Sequence, residues 1–238
     1  MPEFQLTLKS KREIAHSTME FVFEKPERFD YHPGQFATLV CDNPRYTDKK
    51  GNRRAMSFVS SPTQDDLIFG MRISETAFKR SMAEAEPGTK MSCIGPAGRF
   101  LMPEDESIEL VFLAGGIGIT PFISMMKYVA DKNLPRKITL IYCNNTVKNT
   151  VYLNELKELD KQNPNITFVP TMTDEKNLEH DWGGRCGRID ENMIKAVVND
   201  ISKPTYMIVG PPGMVDAMVA LLEKLNIPKE QVVIEKFT

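Results

Sequence analysis

A β region followed by an α/β region is the fold class this 238-residue sequence predicts. Three observations carry it. Short apolar-alternating segments separated by turn residues fill roughly the first hundred positions. From Leu110 onward apolar strand-like runs alternate with helix-like ones. Between the two, Gly115, Gly116 and Gly118 sit where an apolar strand gives way to a helix that opens with Thr120-Pro121.

In order, Phe4, Leu6 and Leu8 alternate with polar residues. Met19 to Phe23 is rich in β formers, Phe36 to Val40 follows the turn Tyr31-His32-Pro33-Gly34, and Leu67 to Ile73 follows a polar cluster. Strands at this spacing predict a small antiparallel barrel or sandwich. Thr76 to Glu86 reads as a short helix capped by Thr76 and stopped by Pro87-Gly88, after which Thr89 to Ile94 resumes as strand and Gly95 to Phe100 turns sharply. The acidic segment Pro103-Glu104-Asp105-Glu106 marks a boundary, giving domains 1–103 and 104–238.

Beyond it, strands Leu110 to Ala114, Lys137 to Cys143, Ile166 to Thr171, Thr205 to Val209 and Gln231 to Glu235 alternate with helices over Pro121 to Asp131, Tyr152 to Gln162, Glu191 to Val198 and Met214 to Leu225. An irregular stretch precedes the third helix. This alternation predicts right-handed crossovers and a doubly wound parallel sheet, with ligands at the carboxyl ends of its strands. Two glycine-bearing loops fall there: the one after Ala114, with Thr120 as cap and Pro121 at the first helical position, and Gly210-Pro211-Pro212-Gly213-Met214. Glycines ahead of a helix N-terminus let backbone N–H groups approach an anion, so the first loop is expected to cradle a nucleotide.

Thirty Lys and Arg against thirty-two Asp and Glu leave a formal charge of −2, with no long basic run, which argues against a nucleic-acid partner. The N-terminal segment lacks the apolar core of a signal peptide, and no stretch approaches the ~20 apolar residues that span a bilayer. A cytoplasmic location is expected. Cys41, Cys93, Cys143 and Cys186 form no metal-binding spacing and are expected to be reduced, mostly buried thiols, with no metal site.

The landmarks His32 to Phe36, Arg53 to Pro62, Met71-Arg72-Ile73 leading to Thr76-Ala77-Phe78, Gly95 to Phe100, Gly115 to Pro121, Gly210 to Met214 and the terminal Glu235-Lys236-Phe237-Thr238 occur in that order. In this order they resemble the ferredoxin–NADP reductase superfamily of flavin oxidoreductases over almost the whole length. The resemblance implies an antiparallel β-barrel that binds FAD, with FMN less favoured, and an α/β domain that binds NADPH or NADH.

On that resemblance Arg54, Ala55, Met56, Ser57, Met71, Ile73, Thr76 and Ala77 belong to the flavin site. Arg54 suits a flavin phosphate because of its fixed guanidinium fork. Thr76 opens a helix aimed at the flavin phosphates, and the Ser57 hydroxyl lies near flavin N5. Gly116, Gly118, Thr120, Pro121, Gly210, Pro211 and Met214 go to the nicotinamide nucleotide, with Thr120 near its ring, and Phe237 covers the flavin face. Ser57 and Thr120 are the catalytic candidates.

Three departures from the family stand out. Met56 replaces an aromatic that in relatives often packs against flavin, Val209 stands where cysteine is frequent, and the ferredoxin-like domain of some relatives is not expected here. The implied reaction passes hydride from NAD(P)H to FAD and electrons on to an external acceptor such as ferredoxin, flavodoxin or an oxygenase component. The alternatives are reduction of free flavin or small molecules, and a non-catalytic nucleotide-binding subunit. Asn144, Asn145, Thr146, Lys148, Thr171 and Thr173 are the residues near a nucleotide 2′ position, with Arg185 and Arg188 farther on. They leave NADH against NADPH open, with no acidic residue expected there.

Overall fold

The computed structural model describes residues 1–174 and 182–237. Two compact units emerge, Met1–Met102 with Thr120–Tyr128, and Pro103–Ile119 with Val129–Thr238.

The first unit is antiparallel. Strands β1 (Glu3–Ala15), β2 (Thr18–Glu24), β3 (Phe36–Val40), β4 (Arg53–Ser57), β5 (Asp66–Arg72) and β6 (Lys90–Ala97) lie in the order β4-β3-β6-β1-β2-β5. Past the end of β4 the chain crosses to β5, where Phe58 bridges Phe69 and the Val59 N–H donates to Ile68 O at 2.8 Å. This joins the two ends of the sheet, so the prediction resolves to a barrel. Alternation drives it: Leu6, Leu8, Phe21, Phe23, Leu39, Phe58 and Phe69 are each at most 1% exposed and pack together. Each such side chain removed from water contributes about 1.5–3 kcal/mol.

Three local expectations change. β6 does not stop at Ile94 but runs through Gly95 and Pro96 to Ala97. β1 continues to Ala15, with register shifts against β2 that accommodate its length. Helix α1 spans Ala77–Glu84 with Thr76 at its N-cap, yet the Thr76 side chain makes no capping hydrogen bond. Asp48 takes that role, its Oδ2 accepting from the Ala77 N–H at 2.6 Å.

Residues Thr120–Tyr128 belong with this unit. The Ser124 hydroxyl donates to Ser60 O at 2.6 Å, and the Phe100 and Phe122 rings lie 5.6 Å apart.

The second unit is the parallel sheet. Strands β7 (Leu110–Gly115), β8 (Ile138–Asn144), β9 (Ile166–Met172), β10 (Arg185–Cys186), β11 (Thr205–Gly210) and β12 (Val232–Lys236) order as β10-β9-β8-β7-β11-β12. Every residue of β7 is buried, as expected of a central parallel strand. Chain order runs outward from β7 through β8 to β10 and then resumes on the other side with β11. The topological switch therefore falls between β7 and β11.

Helices α2 (Thr120–Asp131), α3 (Leu153–Gln162), α4 (Glu191–Val197) and α5 (Pro212–Lys224) follow the expected spans. The two-residue β10 falls in the stretch read as irregular, too short to leave a periodic signal. Arg136 is buried and donates to Ile108 O at 3.1 Å and Pro103 O at 2.7 Å, tying down the segment that leads into β7. Of the cysteines, Cys41 and Cys93 are buried, Cys143 is partly so and Cys186 is exposed; all are free thiols. No helix among the described residues is long and apolar enough to cross a membrane.

Candidate functional site

Within the first unit, β4 and the start of α1 bring the flavin-site candidates together. Arg54 lies on β4 with its guanidinium 5.4 Å from the Phe78 ring of α1. Its Nη1 donates to Lys50 O at 2.9 Å, while its Nη2 is buried with no hydrogen-bond partner. The Thr76 Oγ1 is likewise buried and unpartnered. Two buried donors without partners beside a helix N-terminus, where first-turn N–H groups have no acceptor within the helix, suit an anionic group.

Further cations surround the spot. Lys79 is half-buried, and its ammonium is held below its ordinary pKa by burial first and then by Arg54, Arg72 and Lys50. Four cations repel one another here, and an added anion would relieve that repulsion. Lys50 and Lys79 carried no sequence signal beyond their charge, and Arg72 sat unremarked inside a landmark.

The remaining flavin-site candidates divide by face. Met56 and Met71 are 8% and 4% exposed, and their side chains join the barrel core. Ala55 is exposed on the opposite face of β4, and Ile73 packs at the core margin with its N–H on Ser17 O at 2.8 Å. Ala77 is buried, and its N–H is held by Asp48. Ser57 ends β4 at 6% exposure.

In the second unit the two glycine-bearing loops meet at the switch point. After β7 the chain makes a single 3₁₀ turn, Gly116–Ile119, and enters α2 at Thr120. Thr120, expected to cap, is thus already helical and 2% exposed, because the 3₁₀ turn precedes it; Pro121 beside it is buried. Gly116 has φ +57°, and its carbonyl accepts from the Tyr142 hydroxyl at 2.8 Å.

A Cβ on Gly118 would stand 2.9 Å from Gly210 Cα and 3.0 Å from Val209 O, so the two loops can touch only if this residue has no side chain. A Cβ on Gly115 would collide with the Met214 sulfur. Pro211 is exposed just ahead of α5, and the Phe237 N–H donates to Gly210 O at 3.0 Å, bringing the chain end to the same loop. Thr238, the last residue of the terminal landmark, lies outside the described residues.

Two residues here exceed the sequence reading. Asp174 follows β9, and its N–H donates to Asn145 O at 3.0 Å. Asp174 directly follows Thr173, and the Thr173 and Asn145 side chains bond at 3.1 Å, so an acidic residue lies among those weighed for the nucleotide 2′ position. Its nearness to Thr173 is a matter of chain order, while its approach to Asn145 depends on the β8–β9 pairing. Nearby, Asn144 is 6% exposed with an unpartnered Nδ2, and Thr171 is committed internally to Gly187 O. Lys148 lies in the 3₁₀ turn after Thr146, Arg185 in β10, and Arg188 close enough to Cys143 to act on its thiol.

The second such residue is Glu235 on β12, paired in register with Val209. Its Oε2 is buried without a partner, and burial pushes its carboxyl up to about 7. Among the described residues no cluster of His, Cys, Asp and Glu is arranged to hold a metal ion.

Comparison with known proteins agrees with this geometry. Residues 112–220 match the oxidoreductase NAD-binding domain family. The reductase component of a propane 2-monooxygenase from Mycolicibacterium goodii is 26% identical over 90% of this chain and 61% of its own length. One component of the Na⁺-translocating NADH–quinone reductase from a Marinomonas strain is 28% identical over 81% of this chain and 47% of its own. The chain thus spans about half to three-fifths of these relatives.

The crystal structure of a ferredoxin–NADP⁺ reductase from Neisseria gonorrhoeae with bound FAD and NADP superposes with a TM-score of 0.83, covering 98% of both chains at 21% identity. Residues 112–220 thus match an oxidoreductase NAD-binding domain, the relatives are reductase components, and the chain has the fold of that ferredoxin–NADP⁺ reductase along its length.

Proposed function

We propose that this chain is an FAD-dependent NAD(P)H oxidoreductase that delivers electrons to an external acceptor, of the kind ferredoxin, flavodoxin or an oxygenase component represents. The observation that carries the reading is the cation-rich N-terminus of α1, where Arg54 Nη2 and Thr76 Oγ1 are buried and unpartnered. Its donor set fits the phosphates of a flavin nucleotide, and a helix N-terminus flanked by several cations favours the diphosphate of FAD over the single phosphate of FMN. When bound, the flavin supplies the hydride acceptor and the means of releasing electrons singly or in pairs.

The chain's own residues supply position and field. Arg54, with Lys79 and Arg72, offsets phosphate charge, and Ser57 at the end of β4 offers a hydroxyl to the ring system. At the carboxyl ends of β7 and β11, the N–H groups of the Gly116–Ile119 turn would receive the diphosphate of the nicotinamide nucleotide. Gly118 keeps that floor flat, and Thr120, Pro211 and Met214 border the nicotinamide.

On the adenosine side the Asp174 carboxylate accepts hydrogen bonds from ribose hydroxyls and repels a 2′-phosphate, which makes NADH the preferred donor. The free thiols, one of them exposed, suit a reducing cytoplasm.

An anaerobic absorbance spectrum of the purified chain, titrated with NADH and separately with NADPH, tests the reading. A flavin spectrum bleached by nucleotide is expected, more readily by NADH. A colourless protein that neither binds nor reduces added FAD or FMN overturns it.

A further inference from the structure

Asp48 sits at the N-terminus of α1. It lies in the loop of residues 41–52 between β3 and β4, and that loop folds back over the start of α1. Its Oδ2 accepts from the Ala77 N–H at 2.6 Å, and its Oδ1 from the Lys50 N–H at 2.7 Å. The Arg54 guanidinium, the same group that faces the anion site, grips this loop by donating to Lys50 O at 2.9 Å and Gly51 O at 3.3 Å. The loop is closed at its base by Cys41 N–H on Asn52 O and the Asn52 side chain on Cys41 O, each at 2.9 Å.

Tyr46 adds a clasp farther along. Its N–H donates to the Ser81 hydroxyl at 3.2 Å, its own hydroxyl donates to Glu84, and the Arg80 guanidinium lies 3.9 Å from its ring centre. The loop thus lies along α1 and delivers one carboxylate to its positive end.

A carboxylate at a helix N-terminus is an internal anion, and it uses the donor and the field that an incoming phosphate needs. Resting on the flavin reading above, we propose that Asp48 competes with the flavin phosphates for the N-terminus of α1 and sets how tightly this chain holds its flavin. The Asp48 carboxyl is held below the usual carboxylate range, chiefly by the Ala77 N–H, which favours its charged form. Phosphate binding then requires the Asp48 carboxylate to leave Ala77 or to share the site with a like charge. A loosely held, exchangeable flavin is the consequence, one that can be released into solution in reduced form.

The test is the affinity of FAD, FMN and riboflavin for the full chain and for two variants, Asp48→Asn and Asp48→Ala, read by flavin fluorescence and checked by circular dichroism. Asp48→Asn keeps an oxygen acceptor for the Ala77 N–H and removes only the charge, so it guards against loss of the fold. The expected result is FAD and FMN binding about tenfold tighter in both variants, with riboflavin, which has no phosphate, unchanged.

Unchanged or weaker FAD and FMN binding in a folded Asp48→Asn variant overturns the proposal and leaves Asp48 as a helix cap. Tightening of all three flavins alike also overturns it, because the effect would not act through phosphate. If the native chain binds FAD and FMN but the variants bind them no better, the flavin reading stands and this inference alone fails. If no form binds any flavin, the flavin reading fails and the inference falls with it.

Discussion

The N-terminus of α1 and the turn after β7 both suit phosphates, and they are made of opposite materials. At α1 the attraction comes from side chains scattered over the sequence: Lys50 in a loop, Arg54 on β4, Arg72 at the end of β5 and Lys79 on the helix. At the turn after β7 none of residues 115–121 is charged, and bare backbone is brought close by Gly118 and Gly210. One site is tuned by charge and tolerates small changes of shape. The other is fixed by shape and is indifferent to charge. Substitutions should therefore fail in different ways at the two places.

The largest effect is expected at the steric site. Gly118→Val puts a branched side chain against Gly210 Cα and N and Val209 O, all backbone atoms that cannot swing aside. A displacement of about 1 Å in nucleotide position can cost ~100-fold in rate. Reduction by NADH should fall by at least about that much, while the flavin spectrum of the first unit is retained. A variant that keeps near-native NADH turnover would show that the turn after β7 does not carry the nucleotide.

Next comes the charge-built site. Arg54→Ala removes an ionised donor, a loss of about 1.5–3 kcal/mol where a charged hydrogen bond is made. FAD affinity should drop about 10- to 100-fold, with NADH binding to the second unit untouched. Equilibrium titration of both ligands checks it, and a parallel fall in NADH affinity would erase the distinction between the two regions.

The same contrast explains what could be read from sequence. The backbone-built site announces itself in a continuous stretch, Gly115 to Pro121, because a strand, bare turn and helix must follow one another within a few residues. Strand alternation in Leu6 to Leu8 and Met19 to Phe23 and the buried run Leu110 to Ala114 are equally local, which is why both sheets were foreseeable. Asp48, Lys50 and Lys79 have no such grammar. Their meeting depends on a loop of residues 41–52 returning to a helix some thirty positions on, and Asp174 depends on the register of β8 with β9. Thr76 shows the limit from the other side: its position as N-cap was legible, but the acceptor that fills the role came from Asp48.

A smaller effect is expected at Asp174, the charged outlier of the shape-built unit. Asp174→Ser removes the repulsion toward a 2′-phosphate and leaves a hydroxyl. The ratio of kcat/KM for NADH over NADPH should fall about tenfold, the scale of one exposed charge contact. An unchanged ratio would mean that donor choice is made elsewhere.

Glu235 gives the smallest effect, and it is read through stability instead of ligands. Burial raises its carboxyl from an ordinary value of 4.5 to about 7, so the folded chain binds this proton more tightly than the unfolded chain does. Its contribution to stability is then fully present below about pH 4.5 and is lost as pH rises to about 7. The whole shift would be worth ~3 kcal/mol at ~1.4 kcal/mol per unit, but the side chain is partly exposed and solvent screening reduces that to about 1–2 kcal/mol. Glu235→Gln is permanently neutral and should lose this slope, so the variant is more stable than the native chain at pH 8 and nearly equal to it at pH 5. Urea unfolding at the two pH values decides it. Equal slopes for the two proteins would mean that the Glu235 carboxylate finds a partner in solution, and the end of β12 would then be polar and solvated, unlike the buried strand β7.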